Sequence, residues 1–264
     1  MDTVRAWPYL HCFAHTLNLA VKAGLCIERI HRVVSRCSRL VAFFRRSSIA
    51  AYKLLDKQKA LGCPTHALVQ DVATWWNSTF DMLECVYEQR APICAALVEE
   101  NRMELLPRDD NYMVVESLLE ALKPFKHITE VMSGEKYTTV SSIKLLLHHL
   151  LNIALVIEAK DSAAIKAMKQ AMTANLGECY SSPQSDELLG IACFLDPRFK
   201  AMQFESHSKR GAIHTDVRAQ LVKLLAVDIS DQPLEQLVAE AKECQKEEIG
   251  EFGDNGWNLP GDPR

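Results

Sequence analysis

Between Ile27 and Arg46 the apolar residues Ile27, Ile30, Val34, Cys37, Val41 and Phe44 recur at alternating spacings of three and four. A helix completes a turn in 3.6 residues, so this spacing lays all six side chains along one stripe. Arg29, Arg32, Arg36 and Arg39 follow spacings of three, four and three and fall on the opposite face, with Arg46 near it. A chain containing this segment has to build a layer in which one side of a helix is covered by other elements. The other side meets water or a polyanion.

The same three-four rhythm recurs along the chain. Helices are predicted from Cys12 to Gly24, from Ile27 to about Arg46 and from Ile49 to Leu61, the last stopped by Gly62-Cys63-Pro64. Asn77, Ser78 and Thr79 are expected to cap a helix carrying Met82, Leu83, Val86 and Tyr87. Val115 to Met132 traces another stripe, which Pro124 should kink or divide. Further helices are expected over Val140–Leu155, Ala163–Tyr180, Asp186–Phe194 and Val217–Leu225. Ala67 to Val72 reads as a short strand or an extended link. The fold class is therefore mainly α, without a tandem repeat. Residues 1–225 form the expected helical region, with a basic N-terminal part over 1–66, and 226–264 an acidic, disordered tail.

Charge is unevenly distributed. Residues 1–66 hold eleven Lys and Arg against Asp2, Glu28 and Asp56, a local charge of +8, so the rest of the chain carries −12 within a total of −4. Such asymmetry points a basic N-terminal part at polyanions. No apolar run reaches the roughly 20 residues that span a bilayer, and Met1–Leu10 has no apolar stretch of signal-peptide length. Nine cysteines at irregular spacing fit reduced thiols in an intracellular compartment.

Two Cys-x-x-His pairs, Cys12/His15 and Cys63/His66, have side chains that together would make a tetrahedral zinc site. The separation between the pairs exceeds that of a zinc finger, and Pro64 disfavours a helical second pair. A structural Cys and His at a helix start is the preferred reading for Cys12 and His15. The arginine stripe admits a solvated helix face or a phosphate-binding face. The scarcity of interleaved acids keeps the second reading open. No nucleotide-binding glycine pattern, nucleophile elbow or His-Glu-x-x-His block is present.

Four blocks carry a family resemblance. Trp7 to Val21, with Cys12-Phe13-Ala14-His15, resembles the Cys-x-x-His block of hAT-superfamily transposases. Asp71-Val72-Ala73-Thr74-Trp75-Trp76-Asn77-Ser78-Thr79 resembles their D-V-x-T-R-W-N-S-T block. Leu119 to Thr139 is similar to the L-x-P-F and S-x-x-x-Y-x-T stretch of the zinc-finger BED-domain-containing relatives, and Leu195-Asp196-Pro197-Arg198-Phe199-Lys200 to their L-D-P-R-F-K block. All four stand in family order over residues 7 to 225.

The resemblance implies a ribonuclease-H-like core interrupted by a large helical insertion, of which this chain is mostly the insertion, the core being incomplete. It implies that Trp76 stacks on a nucleic-acid base. Trp75 stands where the family has arginine and is expected in the protein core. It places two of three metal-binding carboxylates upstream of the Cys-x-x-His block and the third beyond the L-D-P-R-F-K block, where no match is found: Glu235, Glu240 and Glu243 read as a solvated helix face. The chain is therefore expected to be catalytically inactive, with no cofactor of its own and zinc only in the family's BED finger. The functional expectation is a transposase-derived nuclear protein that associates weakly and without sequence preference with DNA, has self or protein partners, acts in transcription or chromatin regulation, and does not involve a membrane. The alternatives are a helical protein-interaction scaffold and a non-functional truncated transposase copy.

Overall fold

A helix is present at every segment where periodicity predicted one, most with ends within a few residues of expectation; the one expected from Val115 begins six residues earlier, at Asp109, and the one expected over Val217–Leu225 runs from His207 to Asp231. The computed structural model describes residues 10–72, 74–133, 140–199 and 201–231. In chain order the helices are α1 (Phe13–Leu25), α2 (Glu28–Arg46), α3 (Ser48–Ala60), α4 (Trp76–Glu88), α5 (Arg90–Glu99), α6 (Asp109–Met132), α7 (Val140–His149), α8 (Ala163–Tyr180), α9 (Pro183–Leu195) and α10 (His207–Asp231). A 3-10 turn, Met103–Leu105, precedes α6, and a π-turn, Leu150–Ala154, continues α7. Among the described residues there is no strand; 67–72 is an extended link.

The chain divides into two units, 1–204 and 205–264. The first holds α1 to α9. The second holds α10, which runs across the expected boundary at residue 225 as far as Asp231. The remainder of the expected acidic tail, with Glu235, Glu240 and Glu243, lies outside the described residues, as do 134–139 of the third block.

Helix α1 lies at the centre of the first unit, packed against α8 along its length and touching α2, α4 and α6. Leu17, Ala20 and Val21 are fully buried there. On α2 the residues that face inward are Ile30, Val33, Cys37, Leu40, Val41 and Phe44. The buried stripe is thus one residue wider than the spacing predicted, taking in Val33 and Leu40 while Val34 stays half-buried. Burial pushes the Cys37 thiol up to about 12, an inert core group. None of the eight described cysteines forms a disulfide.

Two expectations need correction. Pro124 does not divide α6, which runs unbroken from Asp109 to Met132. Leu118 and Leu122 before the proline and Phe125 and Ile128 after it are all buried, so packing on both sides holds the helix through the one backbone bond that proline removes. Nor does a side chain of the Asn77-Ser78-Thr79 run cap α4, whose start is held from a distance, as described below. The link from α7 to α8 is closed by Lys169, which donates to the Val156 carbonyl and to Asp161 Oδ2, both at 2.8 Å.

The α1–α8 contact depends on Gly24. A Cβ there would lie 2.7 Å from Met168 Cγ and 2.9 Å from Met172 Cγ and Sδ. Gly177, also on α8, has nothing within 4 Å of its Cβ position. Gly24→Ala is therefore expected to lower stability, because overpacking of about 1–3 kcal/mol outweighs the helix-propensity gain of up to about 1 kcal/mol. Gly177→Ala collects that gain without the clash and raises stability by roughly 0.4–1 kcal/mol. Urea midpoints of the two variants, moving in opposite directions from the parent, are the check.

Candidate nucleic-acid interface

The arginine face of α2 is where the sequence placed it, but its members differ in environment. Arg29 forms an ion pair with Asp110 at the start of α6, Nη2 to Oδ2 2.6 Å. Arg36 donates through Nη2 to the carbonyls of Glu104 and Leu106, each at 3.0 Å, and so closes the 3-10 turn before α6. These two arginines fasten α2 to the segment 104–110. Arg32 lies 3.6 Å from Glu28 one turn earlier and is largely exposed. Arg39 is exposed, with Nε 3.3 Å from the Ser35 carbonyl and no acidic partner among the described residues.

A groove of about 560 Å³ follows the C-terminal half of α2, lined by Arg39, Arg46 and Arg102 together with Ser38, Phe43 and Gln70. Arg102 stacks over the Phe43 ring at 5.0 Å and also pairs with Glu104 at 2.5 Å. Arg39 and Arg46 give the groove its uncompensated charge. Arg102 and Gln70 were not among the residues expected here; their joining α2 depends on chain folding that no local spacing encodes.

Gln70 brings with it the segment of the second family block. Asp71 accepts from Ser38 Oγ at 2.9 Å and from Gln70 Nε2 at 3.1 Å, which pins the segment to α2. Three residues on, at Thr74, Asn18 of α1 takes hold of it. The Asn18 amide donates to the Thr74 carbonyl at 3.4 Å and accepts the Trp76 backbone N–H at 3.2 Å. Asn18 therefore caps α4 from 58 residues away. Ser78 Oγ, expected as a cap, instead accepts from Val72 N at 2.9 Å and places its one proton within reach of the carbonyls of Trp75 (2.8 Å) and Val72 (3.0 Å), closing the loop on itself.

This bracing reverses the expected burial of the two tryptophans. Trp76 is 1% exposed and packs edge-on against Phe80, ring centroids 6.3 Å apart. It has no ring face open to a base. Trp75 is 53% exposed, on the segment whose Gln70 lines the groove. The helix start decides the matter: Trp76 is the first residue of α4 and turns toward the core, while Trp75, one residue earlier in extended conformation, points away.

The two Cys-x-x-His pairs are not gathered into one cluster. Cys12 is exposed at the N-terminal boundary of α1, where its carbonyl accepts from the Thr16 backbone and hydroxyl. His66 is engaged elsewhere, with Nε2 2.9 Å from Glu88 Oε2 and Nδ1 3.8 Å from Cys85 Sγ. Among the described residues no three His, Cys, Asp or Glu side chains converge as metal ligands. In the fourth block, Asp196 accepts from Ser141 Oγ at 2.6 Å and from Arg198 Nη2 at 2.6 Å. The Arg198 guanidinium, then the Ser141 hydroxyl, hold its carboxyl well below the usual carboxylate range.

Residues 10–121 match the family described as the ZBED1 RNase-like helical domain. The chain is hAT-like and BED-related. It is 31% identical to zinc finger BED domain-containing protein 4 of Homo sapiens over 196 residues, 74% of this chain and 16% of that protein. It is 28% identical over 238 residues to the Zea mays protein described as an AC transposase, 83% of this chain and 28% of the relative. Over 206 residues it is 23% identical to zinc finger BED domain-containing protein RICESLEEPER 1 of Oryza sativa, covering 76% of this chain and 27% of that one. The chain thus spans less than a third of the length of each of these relatives. No described helix is long and apolar enough to cross a membrane.

Asn18→Ala removes the acceptor for a buried N–H and is expected to destabilise the first unit by about 1–3 kcal/mol. Trp76→Ala should cost about 3–5 kcal/mol, and Trp75→Ala no more than about 0.5 kcal/mol. Urea unfolding followed by tryptophan fluorescence ranks the three. A larger loss for Trp75→Ala than for Trp76→Ala would contradict the assignment of inner and outer rings.

Proposed function

We propose that this chain is a DNA-associated module of a transposase-derived nuclear protein, that it binds the phosphate backbone without reading sequence, and that it does not itself cut DNA. The observation that carries the reading is the pairing of an exposed indole with a cationic groove. Arg39 and Arg46 face the groove without acidic partners among the described residues, and Trp75 stands on the adjoining segment. Guanidinium groups neutralise phosphates and release counterions, while an exposed indole offers a stacking surface to any base. Relatives named as a transposase and as BED zinc-finger proteins support the same direction. A role in transcription or chromatin regulation, a nuclear location and the lack of strand cleavage rest on the sequence resemblance.

A protein-interaction scaffold is the second reading. It is favoured by exposed Ile49 and Tyr52 on α3 and exposed Val98 on α5, a helix that packs against α3.

The decisive variants differ from the original arginine stripe. Replacing Arg36 would disturb the 3-10 turn it holds, so Arg32, Arg39 and Arg46 are the ones to change. With all three converted to Gln, affinity should fall about equally for unrelated duplexes. The slope of log affinity against log salt should flatten by roughly 0.9 per lost contact. Trp75→Ala should weaken single-strand binding by about 1–3 kcal/mol and duplex binding less. Salt slopes that do not change in the triple variant favour the scaffold. Metal-dependent nicking by the pure chain, abolished by changing one of its own acids, would refute the inactive reading.

A further inference from the structure

Beside the groove, and sharing Arg39 with it, a second cleft of about 400 Å³ opens between α2 and the first turn of α6. Arg29, Arg32, Arg36 and Arg39 all line it, and no acidic side chain does. Asp110 and Glu28 compensate Arg29 and Arg32 from outside the lining, so the cleft keeps an excess of about two positive charges, a setting that favours an anion. Two polar groups there lack partners. Asn111 is only 6% exposed, lines the cleft, and its side-chain amide makes no hydrogen bond with another described residue. Arg36 Nε is a buried donor without an acceptor, although the same guanidinium holds two carbonyls through Nη2. Buried polar groups are ordinarily satisfied; Arg36 Nε is one that is not, and it stands with the Asn111 amide on a cleft of net positive charge, a setting for an anion.

We infer that this cleft seats one phosphoryl group of a nucleic-acid backbone, with the Asn111 amide and the Arg36 edge at its floor and Arg32 and Arg39 at its rim. The ligand accepts from the Asn111 amide, and the rim arginines supply charge-assisted bonds to its outer oxygens. Because Arg39 borders both cavities, the seat and the groove form one track along α2. The inference rests on the DNA reading for the source of the phosphate, though not for the chemistry of the seat. A free phosphate compound would satisfy the same groups.

Asn111→Asp separates the possibilities. Asn111 is the third residue of α6, a first-turn position where a carboxylate suits the helix dipole, so folding is expected to survive. The new charge faces the bound phosphate. Thr173→Asp, on the exposed side of α8, adds the same charge elsewhere, and Arg32→Gln tests the rim. Binding of a short duplex and of inorganic pyrophosphate is measured by calorimetry at low salt, with circular dichroism confirming the fold. Asn111→Asp should weaken both ligands by about tenfold or more, as expected for the loss of one charge-assisted bond, Arg32→Gln should weaken both to a smaller extent, and Thr173→Asp should leave both nearly unchanged. If the parent binds duplex and Asn111→Asp binds it equally well, the seat is refuted while the DNA reading stands. If only pyrophosphate binds, and in an Asn111-dependent way, the seat stands and the DNA reading falls. If the parent binds neither, both fall.

Discussion

One buried amide determines how the two halves of the candidate interface meet. Asn18 lies inside the first unit, and both ends of its side chain are satisfied by two residues of one short segment, Thr74 and Trp76. An amide in that position tolerates little displacement, because a shift of the segment would strand a donor and an acceptor away from water. The segment is fixed a second time by Asp71 on Ser38. Between these two anchors the chain has no freedom to choose which tryptophan faces inward. The floor of the basic groove, which includes Gln70, is set by the same bracing.

The cationic face owes its shape to a conflict on α2. Four arginines within three turns repel one another, since like charges one turn apart destabilise a helix. The fold relieves the conflict unevenly. Arg29 finds Asp110, Arg32 finds Glu28, and Arg36 finds two backbone carbonyls. Arg39 and Arg46 are left without an acid among the described residues, and Arg46, in the last turn, sits where the helix dipole favours cations. A face meant only for solubility would interleave signs along its own length. Here the compensation at Arg29 and Arg36 comes from another element and doubles as tertiary structure, so part of the stripe is structural and the remainder is open to a ligand.

That division marks where sequence reasoning succeeds and where it stops. Helix α2 was legible because its burial pattern is periodic, and periodicity is local. The arginine face was legible for the same reason. Which arginines are engaged was not, because Asp110 lies 81 residues from Arg29 and the Leu106 carbonyl 70 from Arg36. The tryptophan pair was misassigned because burial at a helix start depends on which residue begins the helix, and that is fixed by Asn18 from another helix. Pro124 misled in the opposite way. A rule about one lost hydrogen bond was overridden by four buried side chains around it. The short helix α5 was overlooked although Ile93, Ala96 and Leu97 stand at helical spacing, while the division of the chain after Phe204 left no trace in the spacing of apolar residues.

The blocks that link this chain to transposase-like proteins share a physical character. Asn18 of the first joins α1 to the start of α4, Asp71 of the second joins the extended link to α2, and Asp196 of the fourth joins the end of α9 to the start of α7. Each supplies a polar side chain that ties together segments distant in sequence. Such junctions specify a fold, because a polar group taken out of water has few acceptable arrangements. They make no statement about what the surface binds. The resemblance is therefore strong evidence for the helical architecture and weaker evidence for chemistry, since one fold hosts many activities. The residues that would meet a nucleic acid, Arg39, Arg46, Asn111 and Trp75, lie beside the junctions rather than in them, except for Trp75, which departs from the family pattern. A tryptophan in place of arginine there exchanges a fixed charge for a stacking surface. In the proposed DNA-binding mode, the electrostatic part falls to the arginines of α2.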